Sequence, residues 1–282
     1  MRWHGGKWRL APWIIGHFPP HRVYVEPFGG AGSVLLRKPR AAAEVYNDLD
    51  DEVVSLFRVL RDPEASARLV ELLRLTPFAR TEFYECYQPT DDPIESARRL
   101  CIRSRMGFGS NAHATTGTNR AQTGFRANSN RSGTTPAQDW GNYPDTLAAV
   151  IDRLAGVVVE HRPAVQVMAA HDGPETLHYV DPPYLLSLRN PGHPYDRKHM
   201  YRHEMSDADH EELLGFLRGL TGMVVLSGYP SELYEHALAD WHRVETEALA
   251  DGARKRTEAL WINPLAATRL DDGRLRLSAG SD

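Results

Sequence analysis

Short apolar runs alternate with amphipathic segments in the first part of the chain. An apolar run at residues 23–25 ends at Pro27 and a cluster of glycines, after which residues 33–36 have the character of a helix start. A second run at 43–46 is followed by a segment at 53–60 in which apolar residues repeat at helical spacing. This order of strand, helix, strand and helix predicts a parallel sheet covered by helices.

The rest of the chain contains an irregular segment and then more strands. From Arg105 to Asn142 the sequence is rich in small polar residues and arginine without a clear hydrophobic period, which predicts a long loop or a small subdomain. Further along, Ser206 and Asp209 predict a capping box that begins a helix. Strands are predicted at 157–159, 177–180 and 223–226, followed by an antiparallel pair at 243–249 and 258–262.

The composition is that of an ordinary globular protein. With 282 residues, 41% hydrophobic and 25% charged, the chain is long enough to bury a substantial core. It lacks both a signal-peptide pattern and the roughly 18 uninterrupted apolar residues of a membrane span, so a soluble protein without a membrane partner is expected. Cys86 and Cys101 are too few for a disulfide framework or a cysteine zinc site, and a reducing cytoplasm is expected.

The charge is distributed unevenly along the chain. The net charge is -4, yet residues 96–138 contain seven arginines and no acidic residue, so that stretch carries +7 and the remainder -11. A basic stretch of this kind is compatible with a nucleic-acid partner even when the average charge of the chain is negative.

A glycine-rich turn follows the first predicted strand. Residues 26–33 read Glu-Pro-Phe-Gly-Gly-Ala-Gly-Ser, and glycines between a strand and a helix let the backbone approach a ligand closely. The segment is not a phosphate-binding P-loop, because no Gly-Lys-Ser/Thr follows, and Leu35 stands where a dinucleotide fingerprint requires its third glycine. The alternative interpretation is a tight structural turn.

A carboxylate follows the second predicted strand. Asp48 comes after Tyr46 and Asn47, at the edge of the sheet where open α/β proteins hold the ribose of a nucleoside. The alternative is that Asp48 caps the next helix, a role that Asp50 or Asp51 could fill instead.

The most specific motif is Asp-Pro-Pro-Tyr at residues 181–184, directly after a predicted strand. Two prolines cannot continue a helix or a central strand, so they predict a rigid turn that holds a carboxylate, a proline carbonyl and an aromatic ring together. Such a turn suits an exocyclic amine: the two oxygens accept its hydrogens while the ring stacks on a base extruded from the double helix. The nitrogen lone pair would then face a methyl donor. The alternative is an ordinary Asp-Pro turn with a chance aromatic residue.

Together these motifs resemble the Dam-type (class alpha) DNA adenine N6-methyltransferases, in which the recognition region lies between the cofactor motif and the Asp-Pro-Pro-Tyr motif. Residues 3–7, Trp-His-Gly-Gly-Lys, resemble that family's opening motif. The resemblance implies S-adenosylmethionine as cofactor, double-stranded DNA as partner and a bacterial or phage-infected cell. The catalytic residues it implies are Asp181, Pro182, Pro183 and Tyr184. The cofactor-binding residues it implies are Trp3, Gly6, Lys7, Glu26, Pro27, Phe28, Gly29, Gly30, Gly32, Ser33, Asp48 and Asp181.

The resemblance extends from Trp3 to about Trp261 and implies a fold. We expect a doubly wound α/β protein with a mostly parallel seven-stranded methyltransferase sheet, its last strand reversed, and an inserted DNA-recognition region. The catalytic domain is predicted at 1–95 and 146–282 and the inserted target-recognition region at 96–145.

The inserted region is expected to contact DNA through its arginines, which suit both phosphates and guanine edges. Phe108 or Phe125 could pack against bases or fill the gap left by one. The alternative is a solvated, flexible loop. The predicted DNA-binding residues are Arg103, Arg105, Arg120, Arg126 and Arg131.

The residues of these motifs also bear on rival functions. Cytosine C5 methylation requires a cysteine nucleophile, usually after proline, and neither cysteine follows one. Cytosine N4 methylation uses nearly the same geometry, often with serine in place of Asp181, and enzymes that methylate protein glutamine carry asparagine there. An inactive DNA-binding relative is the alternative outside enzymes. His199 and His203 lie at helical spacing, but no completing ligand follows, so no metal site is predicted.

Overall fold

The computed structural model describes residues 5–108, 124–128, 133–188, 201–249 and 255–279. Over these ranges the chain forms one seven-stranded sheet with helices on both sides. The strands are β1 Val23–Glu26, β2 Ala43–Asn47, β3 Val157–Glu160, β4 Thr176–Val180, β5 Met223–Gly228, β6 His242–Leu249 and β7 Lys255–Ile262. The helices are α1 Ala11–Ile15, α2 Asp51–Arg61, α3 Pro63–Leu75, α4 Arg80–Glu85, α5 Pro93–Met106, α6 Pro136–Gly141, α7 Tyr143–Leu154, α8 Ala164–His171, α9 Asp207–Arg218, α10 Glu232–Ala237 and α11 Pro264–Ala279.

The strand order across the sheet is β3-β2-β1-β4-β5-β7-β6. The first five of these strands pair in parallel, whereas β7 pairs antiparallel with both β5 and β6. The order along the chain reverses between β1 and β4, and in open α/β sheets such a switch point opens a crevice at the carboxyl ends of the strands. The predicted sheet and its reversed last strand are therefore confirmed.

The sheet is buried on both faces because each face carries its own apolar cluster. On one face Tyr24, Tyr46 and Tyr179 belong to the larger cluster, which includes apolar residues of α2 and α5. On the other face Val180 and Trp261 pack with leucines of α9. The predicted capping box is present at the start of α9, where Ser206 and Asp209 cap each other reciprocally.

Two segments differ from the sequence prediction. Residues 30–37 form successive turns instead of a regular helix. The amide of Leu35 donates to the Glu26 carboxylate (2.9 Å), whereas the amides of Leu36 and Lys38 donate to the carbonyls four residues before them. The predicted inserted region also begins inside α5, whose buried residues Leu100 and Ile102 belong to the main core.

Among the described residues, no helix is long and apolar enough to cross a membrane. The same part of the chain contains no group of three or more His, Cys, Asp or Glu residues that could hold a metal ion.

Candidate active site

A cavity of about 730 Å³ opens at the carboxyl edge of β1, β2 and β4. Its walls come from the N-terminal segment, the glycine-rich turn, the start of α8 and the region before and along α9. The predicted cofactor-binding residues that line it are Gly6, Lys7, Glu26, Pro27, Phe28, Gly29, Gly30, Ser33, Asp48 and Asp181. Pro183 also lines the cavity, whereas Gly32, Pro182 and Tyr184 are not among its lining residues. Trp3 lies outside the described residues.

The glycine-rich turn forms one wall because its backbone passes close to β2. A Cβ built on Gly29 would stand 2.0 Å from the ring of the fully buried Tyr46, so only glycine fits there. Gly30 has a φ of 48°, in the left-handed region that favours glycine. The Tyr46 hydroxyl donates to the carbonyl of Gly30 (2.6 Å) and holds the turn against the strand. The turn therefore presents main chain to the cavity.

Asp48 joins the glycine-rich turn to the following helix. Its Oδ2 accepts from the amide of Gly30 (2.6 Å) and its Oδ1 from the amide of Asp50 (2.8 Å). Asp50 is the residue that caps α2, through the amide of Glu52 (3.0 Å). Asp48 is therefore not the helix cap, and its carboxylate lies at the cavity wall.

A buried ion pair lies at the centre of the site. Lys7 Nζ is 3.0 Å from Asp181 Oδ2, and the two side chains are 6% and 15% exposed. Burial raises the pKa of Asp181 to about 6 although Lys7 opposes the rise, and Glu258 adds to it. Burial lowers the pKa of Lys7, but Asp181 and Glu258 outweigh it and the pKa ends above its ordinary value. Both groups are therefore charged at neutral pH.

The second oxygen of Asp181 is the unusual feature of this pair. Oδ1 is buried and has no hydrogen-bond partner among the described residues. A buried carboxylate oxygen without a donor is costly, and in native proteins such an atom calls for an explanation such as a binding role. The arrangement leaves a strong acceptor that is ready for a donor supplied by a ligand.

Tyr184 stands beside this pair and is almost fully buried, with 7% of its surface exposed. Its hydroxyl donates to Glu258 Oε2 (2.8 Å). Its ring centroid lies 4.6 Å from Lys7 Nζ and 4.3 Å from the centroid of the Tyr229 ring. A carboxylate, an ammonium and two aromatic rings thus lie together at the end of β4.

Glu26 is the second carboxylate with a perturbed pKa. Its Oε2 accepts from the hydroxyl of Tyr24 (2.7 Å) and the amide of Leu35 (2.9 Å), and its side chain is buried. Burial raises its pKa to about 8, against the effect of these two hydrogen bonds. Glu26 is therefore mostly protonated at neutral pH and adds a hydrogen-bonding group to the cavity rather than a full charge.

Comparison with known proteins decides the family of this chain. Residues 3–250 match the D12 class N6 adenine-specific DNA methyltransferase family. The chain belongs to this family. The resemblance inferred from the motifs is confirmed.

Individual relatives are similar over a shorter stretch. The chain is 28% identical to the DNA adenine methylase of Escherichia coli (strain K12) over 113 residues, which is 38% of this chain and 40% of that protein. It is 27% identical to the DNA adenine methylase of Vibrio cholerae serotype O1, with the same coverage. With the Serratia marcescens DNA adenine methylase it is 33% identical over 61 residues, 22% of each chain. The chain thus spans about 40% of the length of the first two relatives.

Within this member of the D12 family, the arginines predicted to contact DNA are in different positions. Arg103 is buried: its guanidinium donates to Glu52 (2.7 Å) and to the carbonyl of Cys86 (2.6 Å). The structure therefore gives Arg103 an internal role, and the DNA-binding prediction for it is not supported. Arg105 lies 4.2 Å above the ring of Tyr143 and is half-buried.

The remaining residues predicted to contact DNA lie next to the gaps between the described ranges or inside those gaps. Arg126 is half-buried beside an isolated β-bridge between Gly107 and Phe125. Phe125 packs against Phe78 with ring centroids 5.1 Å apart, which makes it part of the interior, whereas Phe108 is 72% exposed. Arg120, Arg131 and His199 lie outside the described residues.

Several residues at the site were not predicted from sequence. Tyr201 and the segment 163–166 line the cavity, and Glu258 reaches Tyr184 from β7. One signal for Glu258 exists in the sequence: it is a charged residue that alternates with Leu260 and Ile262, two residues of the main core. The other residues leave no such signal, because residues far apart in sequence become neighbours only through the fold.

Proposed function

We propose that this protein transfers a methyl group from S-adenosylmethionine to the N6 amino group of adenine in double-stranded DNA. The observation that carries the proposal is the state of Asp181, whose Oδ2 is held by Lys7 while its buried Oδ1 has no donor among the described residues. An exocyclic amine has two N–H donors, and Oδ1 suits one of them. Family membership supports the same chemistry.

The cavity has suitable properties for S-adenosylmethionine. Its volume of about 730 Å³ lies in the usual range for small-molecule sites. Gly29 and Gly30 would let main chain approach the cofactor, and Asp48 would accept hydrogen bonds from the ribose hydroxyls. Glu26 would form a hydrogen bond with the polar end of the cofactor. When bound, S-adenosylmethionine supplies a methyl group activated by its sulfonium.

The residues of the Asp-Pro-Pro-Tyr turn would act by positioning and by electrostatics. Asp181 Oδ1 and the Pro182 carbonyl would accept the two amine hydrogens and turn the nitrogen lone pair towards the methyl carbon. Alignment of this kind can contribute on the order of 7 to 11 kcal/mol to lowering a barrier. As the new N–C bond forms, the nitrogen must lose a proton, and Asp181 stands ready to receive it. Tyr184 would stack on the extruded base.

Contact with DNA is proposed for the inserted region, 96–145, with the catalytic domain on either side. Arg105, Arg120, Arg126 and Arg131 are the remaining candidates from the predicted set. Neutralising phosphates with arginine makes binding dependent on salt, so the affinity should fall as the salt concentration rises.

The experiment that tests the proposal is a methyl-transfer assay followed by identification of the product. The protein is incubated with unmethylated duplex DNA and labelled S-adenosylmethionine, and the DNA is digested to nucleosides for mass spectrometry. We expect N6-methyladenine with the wild type and with Asp240→Ala, a change to a surface carboxylate that pairs with Arg218. We expect none with Asp181→Ala, which removes both carboxylate oxygens. N4-methylcytosine would overturn the choice of base, and no methylated base across varied DNA would refute the proposal.

A further inference from the structure

Glu258 is a buried carboxylate at the active site to which the proposed reaction assigns no role. It is 6% exposed, and its Oε2 accepts the hydrogen bond from the Tyr184 hydroxyl at 2.8 Å. The neighbouring strand β6, by contrast, carries exposed glutamates, for example Glu245, whose carboxylate pairs with Arg243. Burying a carboxylate costs free energy unless it is compensated by hydrogen bonds or charges. Glu258 therefore requires an explanation that these exposed glutamates do not.

The reversed direction of β7 brings Glu258 to the reacting end of the sheet. Ala259 pairs with Gly228, the last residue of β5, in an antiparallel ladder. The first residues of β7 consequently lie at the same edge as the last residues of the parallel strands. Side chains alternate along a strand, so Glu258 shares the face of Leu260 and Ile262 and points towards the cluster that contains Tyr179.

The contacts on Tyr184 show what Glu258 could control. Lys7 and the ring of Tyr229 lie against the Tyr184 ring, at 4.6 and 4.3 Å from its centroid. These contacts limit movement of the ring, and the hydroxyl at its polar tip donates to Glu258 Oε2. Glu258 lies on a strand that carries none of the recognised motifs.

We propose that Glu258 is a positioning residue of the methyl transfer, which fixes the ring of Tyr184 by accepting the hydrogen bond of its hydroxyl. The inference rests on the proposed function, since it assigns to Tyr184 the task of holding the target base. A ring that can tilt would hold the base less well in line with the methyl donor, and misplacement of the reacting groups lowers the rate strongly. The loss should therefore appear in kcat more than in the affinity for the cofactor.

The charge of Glu258 has a second consequence. The groups that face it are Lys7, Asp181, Tyr179, Tyr184 and Tyr229. Arg256 lies two residues before it on the same face of β7, with its guanidinium 5.1 Å from the centroid of the Tyr229 ring. Glu258 adds to the rise in the pKa of Asp181 because a negative charge nearby disfavours the ionised carboxylate. Neutralising Glu258 should move the acid side of the pH profile of kcat to lower pH. A residue that only supports the fold would not produce this shift.

The test is a double-mutant cycle on the full-length protein. Glu258→Met keeps an unbranched side chain of similar length and removes the acceptor, Tyr184→Phe removes the donor, and the double variant replaces the pair by an apolar contact. We expect each single change to lower kcat about tenfold, as for the loss of one buried hydrogen bond from the transition state, and the double variant to lose little more. Glu258→Gln can still accept the hydrogen bond, so its kcat should stay within about threefold of the wild type, while the acid side of its pH profile of kcat should move to lower pH. Glu245→Ala is the matched control.

Each result bears on the proposal separately from the function. If the wild type methylates adenine and Glu258→Met does so at the same rate, the inference is overturned and the function stands. Losses that multiply in the double variant, or a Glu258→Gln variant as slow as Glu258→Met, also overturn it. Thermal unfolding of each variant shows that the rates belong to folded protein. A wild type that methylates no DNA refutes the proposed function, and this inference with it.

Discussion

Replacing Lys7 by methionine should shift the pH at which the protein loses activity. In the proposed mechanism Asp181 must be ionised, so kcat of the wild type should fall as the pH drops through about 6, the pKa to which burial raises Asp181 against the effect of Lys7. Without Lys7 the ionised carboxylate loses its partner at 3.0 Å. Its pKa should then rise further, and activity should be lost at a higher pH.

The size of the shift follows from the distance between the charges. At 3.0 Å and an effective dielectric constant of about 20, the attraction is about 5.5 kcal/mol, which corresponds to an upper limit of about 4 pKa units. Water that enters the space left by the ammonium reduces this value. We therefore expect the acid limb of Lys7→Met to move up by about one unit or more, which takes the midpoint above about pH 7.

The assay is single-turnover methyl transfer at saturating cofactor, measured from about pH 5 to 9. Lys38→Met is the matched control: Lys38 is also buried and lies 2.6 Å from Glu44, at the opposite end of β2 from the cavity. Glu44 keeps its two hydrogen bonds from Arg153 in that variant, and the acid limb should stay in place. If kcat of Lys7→Met falls at the same pH as kcat of the wild type, or at a lower pH, the role given to the ion pair is refuted.

Three further variants test the structure around the site. The pKa of Glu26 is about 8 in the folded state and near 4.5 in the unfolded chain, so this group lowers the stability of the fold as the pH rises between these values. The melting temperature of Glu26→Gln should therefore rise relative to that of the wild type across this pH window. A constant difference in melting temperature would contradict this. Gly29→Ala should destabilise the fold by about 1 to 3 kcal/mol, because its Cβ overlaps the Tyr46 ring, and unchanged denaturant unfolding would contradict the steric argument. Arg103→Ala should cost about 3 to 5 kcal/mol, since it leaves Glu52 without its partner, but should not alter the salt dependence of DNA binding; a flatter dependence would restore Arg103 as a phosphate contact.

Much of the framework follows from local patterns in the sequence. The strand at 23–25, the one at 177–180 and the late antiparallel pair are predicted because apolar runs between turn residues depend only on neighbouring positions. The rigid turn at 181–184 is predictable for the same reason, since proline restricts the backbone wherever it stands. Residues 33–36, expected to begin a helix, form successive turns, in which the amide of Leu35 donates to Glu26, nine residues earlier.

The partners of the site residues were decided by the tertiary structure. Lys7 meets Asp181 only because the N-terminal segment crosses the end of β4, and Glu258 meets Tyr184, 74 residues away in sequence, only because β7 runs opposite to its neighbours. Arg103 illustrates the converse. It lies in an arginine-rich stretch that predicts contact with DNA, yet the packing of α5 places it against Glu52. Sequence periodicity determines which residues form strands and turns, because those depend on near neighbours. The charges and hydrogen bonds of the site depend on strand order and direction, which only the folded chain sets.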